Sequence, residues 1–65
     1  GAQIWATKSV VAVRDLAAGT VLAAPDLITK RPGSGIPANQ LDAVIGRTLA
    51  RSVAADTGLR LDDLV

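Results

Sequence analysis

The sequence predicts a small, mainly β domain folded from two copies of one strand–turn–strand–short-helix unit. Three observations carry this prediction. The first is an internal repeat with a period of 37 residues. R-D-L-A-A-G-T-V-L-A-A-P-D-L (Arg14 to Leu27) lies over R-S-V-A-A-D-T-G-L-R-L-D-D-L (Arg51 to Leu64) without a gap, with seven identities in fourteen positions. The period is too long and the copies too few for a solenoid. Two units related by a pseudo-twofold, closing one core between them, fit better. The second is composition: all 6 acids are Asp, and the 65 residues include 6 Gly and 3 Pro. Asp bonds to nearby backbone and favours caps and turns, whereas Glu suits helix interiors. The third is periodicity: helical spacing of apolar residues is convincing in only one segment.

The elements follow in order. Ser9 to Val13 is a short β-branched run and reads as a strand. Asp15 to Gly19 is a turn, with Gly19 supplying positive φ, and Asp56 occupies the same place in the second unit. Val21 and Leu22 resume an extended segment. Pro25-Asp26-Leu27 reads as one helical turn with Pro at its start. Ile28 to Arg31 reads as a strand, halted by Pro32, which has no N–H to donate. Ala38 to Ile45 is the predicted helix, with Leu41, Val44 and Ile45 on one stripe. Ile36 is placed to staple against Leu41, and Gly46 to occupy the position after the helix. Thr48 to Val53 reads as another strand. In the core, Leu16, Leu22 and Leu27 are expected to pack against Val53, Leu59 and Leu64. Residues 1–8, with Trp5 as their one large side chain, are expected to be a linker or tag remnant, and residues 9–65 the domain.

The same composition narrows the chemistry. There is no His and no Cys, so the usual general base, the thiolate nucleophile and the commonest metal ligands are all missing. No self-contained active site is expected, and no catalytic residue is assigned. Asp62-Asp63 is the only acidic pair. It is expected to cap the last helical turn, as Asp26 should cap the first, rather than to bind metal. One Trp and no Phe or Tyr leave no platform for stacking bases, and the net charge of +1 comes without a basic run, so nucleic acid is not an expected partner. No apolar run approaches the roughly 18 residues of a membrane helix, and no membrane contact is expected.

One segment stands apart from this Ala-, Val- and Leu-rich background: K-R-P-G-S-G-I-P, residues 30 to 37. Together with V-V-A-V-R-D-L-A-A-G-T-V-L-A-A-P-D-L before it, L-D-A-V-I-G-R after it and the second D-D-L, it resembles a SAF domain. More narrowly, it resembles the antifreeze-like C-terminal domain of sialic acid (N-acetylneuraminate) synthases, over about residues 9 to 65. The turn signatures are shared by all SAF domains. K-R-P-G-x-G directly before I-P and a helix is the part typical of the synthases. The resemblance implies a β-clip fold, reached through a linker from a TIM-barrel domain outside this chain. That barrel would condense phosphoenolpyruvate with N-acetylmannosamine or a related amino sugar, using a divalent metal. No cofactor is implied for the small domain itself. The family forms domain-swapped dimers, so the small domain of one chain would cover the barrel mouth of the other, in the cytoplasm.

The resemblance also implies site residues. Arg31 would donate to the N-acetyl group of the sugar, a task suited to its planar fork of donors. Lys30, Pro32, Gly33, Ser34 and Gly35 would form the loop that carries it, with the prolines and glycines fixing its path and letting backbone approach closely. Two other readings stay open. SAF domains occur in periplasmic flagellar and pilus assembly proteins, where V-x-A-R-D-L-x-A-G-T-V-L is common. Type III antifreeze proteins share the fold and G-I-P-A; there Thr20, Val21, Ala23 and Ala24 would contribute to an ice-binding face, although Arg14 and Asp26 place charges beside it.

Overall fold

Residues 16 and 53 sit opposite each other on a pseudo-twofold. In the computed structural model, which describes residues 8–31, 33 and 35–65, Leu16 N–H donates to the Val53 carbonyl at 2.8 Å and Val53 N–H returns the bond at 2.8 Å. Each partner is the other's image under the 37-residue shift. Other backbone bonds between the two units obey the same operation. Gly19 N–H to Leu49 O is matched by Asp56 N–H to Ala12 O, and Leu22 N–H to Arg47 O by Leu59 N–H to Val10 O. Bridges repeat too: Val21 with Thr48 answers Val11 with Gly58. The repeat in sequence is therefore a repeat in hydrogen bonding, reaching beyond the aligned segments to residues 10–12 and 47–49.

Local chemistry explains why each unit folds alike. Gly19 (φ 90°) and Asp56 (φ 63°) both take the left-handed turn conformation expected of them. Each unit then ends in one turn of 3-10 helix, Ala24–Asp26 and Leu61–Asp63. Asp26 Oδ2 accepts the N–H of Ala23 at 2.9 Å, and Asp63 Oδ2 that of Arg60 at 2.9 Å. This is the return half of a capping box; Ala23 and Arg60 have no side-chain acceptor to supply the other half. So Asp63, rather than Asp62, takes the capping role in the second unit. Both capping carboxylates are buried, and each keeps an arginine beside it: Arg14 bonds Asp26, and Arg51 stands 3.4 Å from Asp63.

The only ladder among the described residues is antiparallel, β1 (Ser9–Ala12) with β2 (Leu27–Lys30), in register Ser9 to Lys30 and Ala12 to Leu27. The two predicted strands that correspond to it hold to within a residue. The predicted strand 48–53 does not form. Thr48, Leu49 and Val53 make isolated bridges, and the chain bends at Ala50 and Arg51, as its image bends at Val13 and Arg14. The predicted helix 38–45 is also shorter and broken. A 3-10 turn, Ala38–Gln40, leads into one α turn, α1 (Leu41–Val44). Gln40 leaves helical geometry (φ −106°, ψ 11°), and Ile45 is already extended (ψ 129°). Two turns of helix gain little from propensity alone, so packing decides where they break. Val44 is buried, Leu41 lies partly against the core, and Ile45 is exposed. Gly46 has φ 93°, as its place after the helix requires.

The core is the one the repeat predicts. Leu16, Leu22, Leu27, Val53 and Leu59 are buried in one cluster with Val10, Ala12, Ile36, Val44 and Leu49, and Leu64 packs on its margin. This is a small, mainly strand-and-turn domain of β-clip type.

Candidate functional site

The twofold is broken in one place, and the K-R-P-G-S-G-I-P loop lies there. Residues 28–46 link the two units and have no counterpart in the repeat. The loop's far end is fastened by backbone. Ile36 N–H donates to Leu59 O at 2.9 Å, Val10 N–H to Ile36 O at 2.9 Å, and Ala38 N–H to Lys8 O at 3.0 Å. The Ile36 side chain is buried in the core. In the first unit the carbonyl equivalent to Leu59 O is that of Leu22, and it accepts from Gly46 instead, at 2.8 Å. The loop thus uses an acceptor that the fold offers twice, but with a different chain segment on each side.

Gly35 makes this fastening possible. A Cβ built there would run into the carbonyl oxygen of Leu59, the same oxygen that receives Ile36 N–H. Replacing Gly35 by Ala therefore has to push two backbone segments apart. Overpacking of this kind costs about 1–3 kcal/mol. In a domain of this size that lowers Tm by roughly 5–20 °C. Gly58→Ala is the control. Its Cβ would meet nothing nearer than Ser9 Oγ at 3.9 Å, and a thermal melt should show it far less affected. Equal melts for the two variants would mean that the close approach at Gly35 does not constrain the loop.

The other residues of the segment divide. Lys30 ends β2 and donates to Asp56 Oδ1 at 2.7 Å, an ion pair exposed on both sides and screened by water. Arg31 is exposed and has no ion pair or side-chain hydrogen bond among the described residues. Gly33 and Gly35 are half-buried. Pro32 and Ser34, like Trp5, lie outside the described residues. Among the described residues the structure thus separates one engaged cation, Lys30, from one with no side-chain partner, Arg31.

Residues missed in the sequence adjoin the loop. Gly35, Ile36 and Pro37 form one wall of a shallow depression of about 260 Å³, and Arg60, Leu61 and Asp62 form the other. The signal for them lies in the repeat. Arg60, Leu61 and Asp62 stand over Ala23, Ala24 and Pro25, so the second unit carries larger or charged residues where the first carries small ones. That departure sits beside the loop. The Asp63 carboxylate is committed to Arg60 N–H and Arg51. Among the described residues no group of three His, Cys, Asp or Glu is arranged to hold a metal ion.

A second shallow depression lies on the pseudo-twofold itself, lined by Asp15, Leu16 and Ala17 and their images Ser52, Val53 and Ala54. Asp15 is occupied there, accepting the N–H of Ala55 at 2.8 Å.

The duplicated turns, the β-clip architecture and the inserted loop define the class. The SAF domain family model matches residues 7–65, and the chain belongs to the SAF domain family. Among curated proteins no match is found.

Proposed function

We propose that this SAF domain is the lid of an enzyme of sialic acid synthase type. A barrel domain elsewhere in the parent polypeptide would join phosphoenolpyruvate to N-acetylmannosamine or a related amino sugar. The domain would cover the mouth of that barrel on the other chain of a homodimer, and Arg31 would donate to the N-acetyl carbonyl of the sugar. One observation carries the reading: Arg31 stands exposed and, among the described residues, without an ion pair, on a loop whose far end three backbone hydrogen bonds fasten to the domain. A barrel's reacting centre opens at the C-terminal ends of its strands, so a covering domain must present a polar group on a fixed support. The K-R-P-G-S-G-I-P segment supplies both.

In this reading the domain contributes binding and no bond-making step. It has no His or Cys, and its buried carboxylates are spent on caps and arginines. The 65-residue chain, mixed with phosphoenolpyruvate, an N-acetylated amino sugar and a divalent metal, is expected to release no phosphate above the uncatalysed rate. Turnover by this chain alone would overturn the assignment of a purely binding role.

The parent gene tests the reading further. A barrel of about 250 residues or more should precede residue 9. The purified parent protein should consume phosphoenolpyruvate only when an amino sugar is present. An export signal or membrane anchor there instead, with no barrel, would favour the assembly-module alternative. Ice binding is the weaker alternative. Val21, Ala23 and Ala24 are exposed, but Arg14 and its bond to Asp26 stand on the same unit, and charge disfavours an ice-matching surface.

A further inference from the structure

The cations of this domain differ in whether they have a partner. All seven cations and all six carboxylates lie among the described residues, so their pairing can be followed through the whole chain. Arg14, Lys30 and Arg51 each have a carboxylate partner, and Arg47 donates to the carbonyl of Val65 at 2.9 Å. Among the described residues three cations make neither an ion pair nor a side-chain hydrogen bond: Lys8, Arg31 and Arg60. All three flank the same loop. The carbonyl of Lys8 accepts from Ala38, and Ser9, its neighbour, bridges both Lys30 and Pro37. Arg31 begins the loop, and Arg60 lines the depression opposite Gly35, Ile36 and Pro37.

We infer that the loop end, centred on Lys8, Arg31 and Arg60, is a docking surface for an acidic protein surface. Charge complementarity selects the partner. A patch of like-signed charge, without an ion pair among the described residues, speeds encounter with, and orients, a surface of the opposite sign. Two features favour a protein over a phosphate polymer. Leu61 is 68% exposed and Pro37 is exposed, both on the walls of the depression that Arg60 also lines, so apolar surface that a protein side chain can cover lies beside a cation of the patch. Asp62 stands inside the patch, where it repels a uniform polyanion but can pair with a basic residue on a mixed surface. The inference rests on the lid reading only in giving the acidic surface a place, the rim of the covered barrel.

The test uses the 65-residue chain and an eight-residue peptide, Asp-Glu-Leu-Asp-Glu-Leu-Asp-Glu, followed through backbone amide chemical shifts. Shifts should be confined to Lys8, Ser9, Arg31, Gly35 to Ala38 and Arg60 to Asp62. Raising salt from about 0.05 to 0.3 M should weaken them, because exposed charges are then screened. A Lys8→Ala, Arg60→Ala double variant, with Arg31 intact, should bind about tenfold more weakly. Both side chains are exposed and outside the core, so the variant should retain the amide spectrum of the fold. Arg47→Ala should bind as the parent does. Shifts spread equally over Arg14, Arg47 and Arg51, or unchanged affinity in the double variant, would overturn the inference. So would tighter binding of inorganic tripolyphosphate than of the peptide, which would assign the surface to phosphate ligands. None of these outcomes touches the role of Arg31 toward the sugar, which is read separately from sugar kinetics.

Discussion

Arg31→Ala in the parent enzyme should lower kcat/KM for the amino sugar by about ten- to a hundredfold. The expectation follows from one hydrogen bond between a charged donor and a neutral carbonyl. Such a bond is worth roughly 1.5–3 kcal/mol, and removing the donor leaves the acceptor poorly satisfied in a site closed from water. The apparent affinity for phosphoenolpyruvate should hardly change, because the lid reading gives that substrate to the barrel. Arg31→Lys should recover little, since an ammonium lacks the planar fork. Stability should not move: Arg31 is exposed and bonded to nothing among the described residues. A thermal melt of the variant separates this outcome from misfolding. An equal loss toward both substrates would mean that the arginine supports the lid as a whole rather than touching the sugar.

Leu59→Ala and Leu22→Ala should each destabilise the domain by about 2–5 kcal/mol. The two leucines are images of each other, and they are 0% and 1% exposed within one cluster. A domain this small buries only about 60% of its unfolded surface, so such a loss approaches its whole stability. Both variants are expected to be largely unfolded at 37 °C by circular dichroism. Val21→Ala, at a side chain 60% exposed, should change stability by less than about 0.5 kcal/mol. If Leu59→Ala melted like Val21→Ala, the shared core between the two units would be wrong.

The twofold was legible because it is written in residues with narrow conformational roles. Gly19 and Asp56 mark the same left-handed turn, Asp26 and Asp63 cap the same short helix, and Leu22 and Leu59 fill the same side of the core. The segment between the units was less legible. Leu41, Val44 and Ile45 have helical spacing, but eight residues hold too few internal bonds to enforce a helix, and the chain exits at Ile45 so that Gly46 can reach Leu22 O. The strand expected at 48–53 failed for a related reason. The repeat aligns Ala50 and Arg51 with Val13 and Arg14, where the first unit bends, and that alignment was better evidence than the β-branched residues around them. Of the site, Arg31 and the glycines were legible through the motif. Arg60, Leu61 and Asp62 were not, because they reach the loop only through tertiary folding, although their mismatch with Ala23, Ala24 and Pro25 pointed to them.

The central claim is that this domain acts across a dimer by presenting Arg31 to a barrel on the other chain. A mixed dimer tests it most directly. One chain carries Arg31→Ala with a sound barrel, and the other carries an intact lid with an inactivated barrel. Each parent homodimer should be impaired, the first in sugar use and the second in all turnover. In the mixed dimer the sound barrel meets the intact lid, and sugar-dependent consumption of phosphoenolpyruvate should return to about half that of the unaltered enzyme, because one of its two sites is then complete. A mixed dimer that assembles normally yet shows no more activity than the Arg31→Ala parent would contradict the account.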